Sequence, residues 1–202
     1  LYIPPAFAED RPDELLAIMR AASLPILITP TAAGLAATHM PLHAVSAGRI
    51  IGHFARANTQ WRDALPGADS LAIFAAADGY VSPSWYPSKA ETGKVVPTWN
   101  YQAVHATGTL EFVEDPVALL EIVTTLTEKY ESGRATPWAV SDAPADYIAS
   151  QLKGIVGVVI HVKKLEGKIK LSQNKPMADR LGVIEGTAPE NPALAAAMRK
   201  AP

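Results

Sequence analysis

The segment from Thr98 to Val113 constrains the fold most. Apolar and polar positions alternate along it, with Val104, Ala106, Leu110 and Phe112 on one face and Trp99, Tyr101 and His105 on the other. A period of two belongs to a strand, and Gly108 inside it predicts a bulge or bend. Shorter runs supply sheet partners: Ile26 to Thr29 between two prolines, Gly34 to Met40, Arg49 to Phe54 after the turn signal Ser46-Ala47-Gly48, and Leu71 to Ala75. Ile155 to Val162 and Lys164 to Leu171 read as a hairpin-like pair, with Gly167 near a kink. Helical spacing appears around this centre. Pro12 opens one helix with Leu15, Ile18, Met19 and Ala22 on its stripe. Asn58 is placed to cap a short helix through Trp61 and Leu65. Asp115 and Pro116 open the clearest one, to Ser132, with Val117, Leu120, Val123, Leu126 and Tyr130 as its expected apolar face. Further helices are predicted over 145–153, 177–184 and 193–200, and residues 78–97 read as irregular. No repeat or linker divides the chain, so a single domain over 1–202 is expected, with short C-terminal helices from about residue 175.

Composition removes whole classes of chemistry. The chain has 202 residues and no cysteine, so disulfide frameworks, thiolate metal sites and thiol nucleophiles are excluded. Eighteen basic residues against twenty acidic ones leave a formal charge of −2, which gives no general attraction to nucleic acid or acidic membranes. The apolar runs fall far short of the ~20 residues that cross a bilayer. A cytoplasmic protein is therefore expected. Glycine-rich phosphate loops, the nucleophile-elbow pattern and the zinc-peptidase helix pattern are missing from the sequence.

Four features carry chemistry. His39 and His43 are four apart, but Pro41 between them and the strand pattern separate them by about 13 Å, too far for one metal ion. Arg56 and Asn58 stand at a strand-to-helix junction, where free N–H groups and the helix dipole favour an anion; an ordinary cap beside a surface arginine is the alternative. Ser82-Pro83-Ser84-Trp85-Tyr86 and Thr98-Trp99-Asn100-Tyr101 combine flat apolar faces with hydrogen-bonding rims, as suits a planar heteroaromatic ligand, an anchored loop or a subunit interface. Lys163 to Lys175 holds five lysines against Glu166, which reads as a phosphate site, a nucleic-acid patch or a lysine-decorated edge strand.

These segments together resemble a known family. Tyr2-Ile3-Pro4-Pro5-Ala6-Phe7, Thr38-His39-Met40-Pro41-Leu42, Gly52 to Trp61, Tyr80 to Tyr86, Pro97 to Tyr101 with Ala103-Val104-His105, and Lys170-Leu171-Ser172-Gln173-Asn174 are similar, in this order, to the PaiB family of FMN-binding negative transcriptional regulators. The resemblance implies an α+β fold, a mainly antiparallel split β-barrel of the pyridoxamine-phosphate-oxidase kind with peripheral helices, usually a homodimer with FMN in clefts between subunits. It implies cofactor contacts from Thr38, His39, Met40, His53, Arg56, Asn58, Trp85, Trp99, Asn100, Lys170, Gln173 and Asn174, with Arg56 and Asn58 at the phosphate. It nominates no catalytic residue. An FMN-dependent oxidoreductase and a flavin-free dimeric interaction protein are the other readings. Direct DNA contact has little support, because Arg180, Arg199 and Lys200 are too few for a basic recognition helix.

Overall fold

The computed structural model describes residues 1–201. Eight strands form one antiparallel sheet: β1 (Ala8–Glu9), β2 (Ile26–Thr31), β3 (Gly34–His39), β4 (Leu42–Ser46), β5 (Arg49–Ala55), β6 (Ser70–Val81), β7 (Thr98–Val113) and β8 (Ile155–Lys170). Their order is β3-β2-β6-β7-β8-β5-β4, with β1 beside β8. Seven helices accompany them among the described residues: α1 (Pro12–Ala21), α2 (Gln60–Asp63), α3 (Ser88–Thr92), α4 (Pro116–Glu131), α5 (Ala145–Leu152), α6 (Met177–Thr187) and α7 (Pro192–Lys200).

Turn chemistry sets the short hairpins. Gly34, at a φ of 118°, takes a conformation closed to most side chains, and the Thr31 hydroxyl closes the β2–β3 turn by donating to the Gly34 carbonyl. β4 and β5 pair through Leu42↔Gly52 and Ala44↔Ile50, with a bulge between Ala44 and Ser46. β4 itself is absent from the sequence reading, because His43 and Pro41 interrupt its apolar pattern.

Two compact units emerge. One comprises residues 1–22, 75–104 and 166–202; the other comprises 23–74 and 105–165. Each is assembled from stretches distant in sequence, so no linker marks a boundary. In the first, α1 buries Leu15, Ile18 and Met19, with Ala22 buried just past its end, the stripe expected from the sequence, and Leu15 packs over Gly167. In the second, α4 packs on the β5–β8 face, where Ile51, Val159, Ile122 and Leu126 form a cluster with Val113 against it.

Three expectations are corrected here. The pair read as a hairpin at 155–171 is one continuous strand, β8, because Lys163-Lys164 offers no turn-forming residue. β8 is covered by β5 over residues 155–161 and by β1 at Gly167 and Lys168, so Lys168 does not decorate an open edge. On α4 the buried positions are Leu119, Ile122 and Leu126, while Val117, Leu120 and Tyr130 stay exposed. Gly157 decides that choice of face: a Cβ there would meet Ile122 and Leu119 at 2.9 and 3.1 Å, so their side chains fill the space that glycine leaves. The helix starts as expected, with Asp115 accepting from the N–H groups of Val117 and Ala118.

Candidate functional site

The second unit gathers Thr38, Asn58 and their surroundings into one polar lattice. Asn58 Nδ2 donates to Thr38 Oγ1 at 2.8 Å, and Thr38 Oγ1 donates to Gln60 Oε1 at 2.5 Å. Gln60 Nε2 then reaches the Leu27 carbonyl at 3.0 Å and Thr29 Oγ1 at 2.8 Å. Asn58 Oδ1 accepts from Gln60 N and orders the turn before α2, but the N-cap is Thr59, which makes no side-chain capping bond, so Asn58 is not the cap that the sequence suggested. α2 is shorter than expected, ending at Asp63, because Pro66-Gly67 follows closely. Gln60 is 4% exposed and joins the two motif segments, a role that the sequence reading missed.

Arg56 is held by the protein itself. Its Nε donates to the Lys153 carbonyl at 2.9 Å, Nη2 to the Ile155 carbonyl at 3.0 Å, and Nη1 meets Glu114 Oε2 at 2.5 Å. Three of its five donors are thereby engaged. His53 is half-buried on β5, its Nδ1 is enclosed without a hydrogen-bond partner in this structure, and burial lowers its pKa. Met40 is buried and His39 is exposed.

The first unit holds the other half of the expected residues. Lys170 Nζ donates to Thr98 Oγ1 and, at 2.6 Å, to the Trp99 carbonyl. Lys168, two residues earlier on the same face of β8, is only 7% exposed. Its Nζ donates to the Tyr2 carbonyl at 3.0 Å and lies 5.3 and 5.2 Å from the rings of Tyr2 and Tyr101. Lys175 Nζ stands 5.3 Å from the Tyr86 ring. Among the described residues no carboxylate comes within ion-pair distance of these three lysines. Burial, then the like charges of Lys168 and Lys175, lower the Lys170 pKa. Lys168 and Lys175 are thus added to the expected set; their signal was the acid-poor lysine run itself.

The remaining positions divide by accessibility. Trp99 is 49% exposed, and its Nε1 donates to Asp78 Oδ2 at 3.1 Å. The Tyr80 and Trp99 rings meet edge to face, 6.4 Å apart. Asn100 is fully buried, with Nδ2 on Ser172 Oγ at 2.9 Å and near the Met198 sulfur, so it supports the site from behind. Ser172 adopts a φ of 65°, which is costly for a residue with a Cβ and turns the chain after β8. Gln173 folds back, accepting from Leu171 N and donating to the Ile169 carbonyl, and Asn174 is exposed. Trp85 ends a short 3-10 turn, Pro83–Trp85, which Ser82 caps through Ser84 N. Residues 78–97 are therefore largely ordered as the end of β6, this turn and α3, where a loop was expected.

Uncompensated ammonium groups beside exposed aromatic faces form a donor set for a planar ligand carrying an anion. Residues 1–164 match the family model described as "Putative FMN-binding domain". The chain belongs to that FMN-binding family. It is 36% identical over 188 residues to protease synthase and sporulation protein PAI 2 of Bacillus subtilis, covering 92% of this chain and 88% of that protein. An uncharacterized protein of Aspergillus fumigatus is 43% identical over 122 residues, 53% of this chain and 47% of that protein. Among solved structures, the flavocytochrome Anf3 from Azotobacter vinelandii matches with a TM-score of 0.60 and 15% identity, over 81% of this chain and 69% of that one. The FAD and heme binding protein from Mycobacterium smegmatis matches with a TM-score of 0.60 and 16% identity, over 81% and 73%. At such identities the likeness establishes the fold. It agrees with the split-barrel class expected from the motifs, as the sequence relative agrees with the PaiB resemblance. FMN, the cofactor that the motifs implied, is the one by which the family is described.

Proposed function

We propose that this is an FMN-binding protein of the PaiB type in which the lysine trio meets the phosphate. The observation that carries this is the set Lys168, Lys170 and Lys175, held by carbonyls, a hydroxyl and aromatic rings but by no acid. Lys168 is buried and Lys170 half-buried, with Lys175 exposed beside them; a buried ammonium without an anion is an unfavourable arrangement, and a dianionic phosphate relieves it. Arg56, with three donors engaged within the protein, is the lesser phosphate ligand and orders the β5–α2 junction. Trp85 and Trp99, in the same unit as the lysines, are assigned to the faces of the isoalloxazine; Thr38, His39, Met40, His53 and Asn58 are kept as flavin contacts on the family resemblance alone. Asn100 and Gln173 shape the turn that presents Lys170, and Asn174 lies at its rim. The pairing of subunits around such a site is part of the same reading.

Bound FMN supplies one- and two-electron chemistry that none of the side chains offers. The residues bind and orient it. A regulatory output through the flavin or a partner is favoured over base reading. Arg180 donates to the carbonyls of Met198 and Ala201, which removes it from a nucleic-acid surface. The similarity to a protein named for protease synthesis and sporulation supports a regulatory output.

The deciding experiment is the absorption spectrum of the purified protein, before and after FMN addition and gel filtration. Retained flavin absorbance in stoichiometric amount is expected. A colourless protein after that treatment overturns the reading. Steady-state NAD(P)H oxidation by the holoprotein would instead favour an oxidoreductase.

A further inference from the structure

Helix α6 lies beyond the residues that match the family model, yet it touches the Trp85 segment at several points. Near its start, Asp179 is buried, and its carboxylate accepts from Ser88 N at 3.0 Å and from the Ser88 hydroxyl at 2.8 Å. Further along, Gly182 and Gly186 are four residues apart and share a face. A Cβ on Gly186 would fall 2.4 to 2.5 Å from three ring atoms of Trp85, and one on Gly182 would fall 2.2 Å from the Trp85 carbonyl oxygen. Real side-chain carbons do not approach so closely. Glycine inside a helix costs about 1 kcal/mol relative to alanine, so two at this spacing need a reason. The reason on view is the indole and backbone of Trp85 lying directly on the helix. Tyr86, the next residue, is buried, and Lys175, just before α6, stands over its ring.

We infer that α6 is the positioning element for Trp85: Gly182 and Gly186 form the seat of the indole, and Asp179 fixes the chain beyond it through Ser88. The C-terminal helix thereby sets the orientation of an aromatic wall of the flavin site, and alanine at either glycine turns that wall. The inference rests on the proposal that Trp85 faces the flavin, so its two parts are measured separately. Trp85 is a positioning target of α6 whether or not flavin is present, and its own emission reports that part.

The test uses the full chain. Trp85 emission is isolated by subtracting the spectrum of a matched Trp85→Phe protein, since three other tryptophans are present. FMN affinity is read from quenching of flavin fluorescence. Gly186→Ala is expected to shift Trp85 emission in the flavin-free protein and to raise the FMN Kd at least tenfold. Gly133→Ala, where a Cβ meets nothing within 4 Å, is expected to change neither. Combining Gly186→Ala with Trp85→Leu should leave both melting temperature and FMN affinity at the level of Trp85→Leu alone, because the clash partner is gone. A further loss of stability in the double variant overturns the seat. Ser88→Ala is the milder variant should Gly186→Ala not fold, with the same emission shift and a smaller rise in Kd expected. Unchanged Trp85 emission in Gly186→Ala, or in Ser88→Ala if that variant is needed, overturns the seat. A shifted emission with unchanged FMN Kd, in a protein that does bind FMN, overturns the link to the site but leaves FMN binding intact. Absence of FMN binding in the unmodified chain overturns the functional proposal, and the emission arm still decides the seat.

Discussion

Replacing Lys170 by methionine separates a ligand-binding cation from a structural one. In the protein alone its ammonium group makes two hydrogen bonds, to Thr98 Oγ1 and the Trp99 carbonyl, while burial and the charges of Lys168 and Lys175 disfavour its protonated form. Methionine keeps the side chain as far as Cε and removes the ammonium and its repulsion. The lost hydrogen bonds and the relieved repulsion oppose each other, so stability of the flavin-free protein should change by less than about 1 kcal/mol. The loaded protein behaves differently. A charge-assisted contact to phosphate contributes about 1.5–3 kcal/mol, and 1.4 kcal/mol is tenfold in affinity, so FMN binding should weaken by roughly 10- to 150-fold. Riboflavin, which lacks the phosphate, should bind the variant and the unmodified protein within about twofold of each other. The assay is a fluorescence titration of FMN and riboflavin against both proteins, with Arg56→Ala alongside. Equal losses for FMN and riboflavin, or a large FMN-specific loss in Arg56→Ala with none in Lys170→Met, would refute the assignment of phosphate to the lysines.

Other consequences follow from the same geometry. FMN affinity should fall as pH rises through the Lys170 pKa, at a lower pH than for an ordinary lysine, since the neutral amine no longer attracts phosphate; this early part of the fall should be absent in Lys170→Met. His53 is held neutral by burial, so the unfolded chain binds the extra proton first as pH drops below its ordinary value near 6.5. Its contribution to stability is complete above that pH and is lost as pH falls toward the lowered folded pKa, a slope that denaturant titrations should find diminished in His53→Phe. Gln60→Ala leaves the Leu27 carbonyl, Thr29 and Thr38 without their shared partner and should destabilise the protein by about 2–4 kcal/mol in chemical denaturation. Gly108→Ala places a Cβ 2.1 Å from the His161 carbonyl oxygen, a backbone atom that cannot swing away, and should cost about 1–3 kcal/mol or more.

Local periodicity made much of this fold legible. The alternation of Thr98–Val113, the Asp115-Pro116 start of α4 and the buried stripe of α1 each follow from interactions within a few residues, which sequence spacing records directly. The motif segments 38–42, 52–61 and 170–174 likewise carried the FMN family. Tertiary structure decided what spacing leaves degenerate. α4 offers two apolar stripes, and Leu119 and Ile122 face inward where, with Val113, they fill the space that Gly157 leaves. Asn100 looked available to a ligand, yet the Ser172 turn encloses it completely. Arg56 and the lysines were alike as cations in the sequence. Carbonyls at 153 and 155 and the carboxylate of Glu114, all about 60 to 100 positions away, occupy the arginine, whereas Lys168, Lys170 and Lys175 have no carboxylate within ion-pair distance. Charge is a property of the residue; whether it is already neutralised depends on neighbours that only the folded chain brings near.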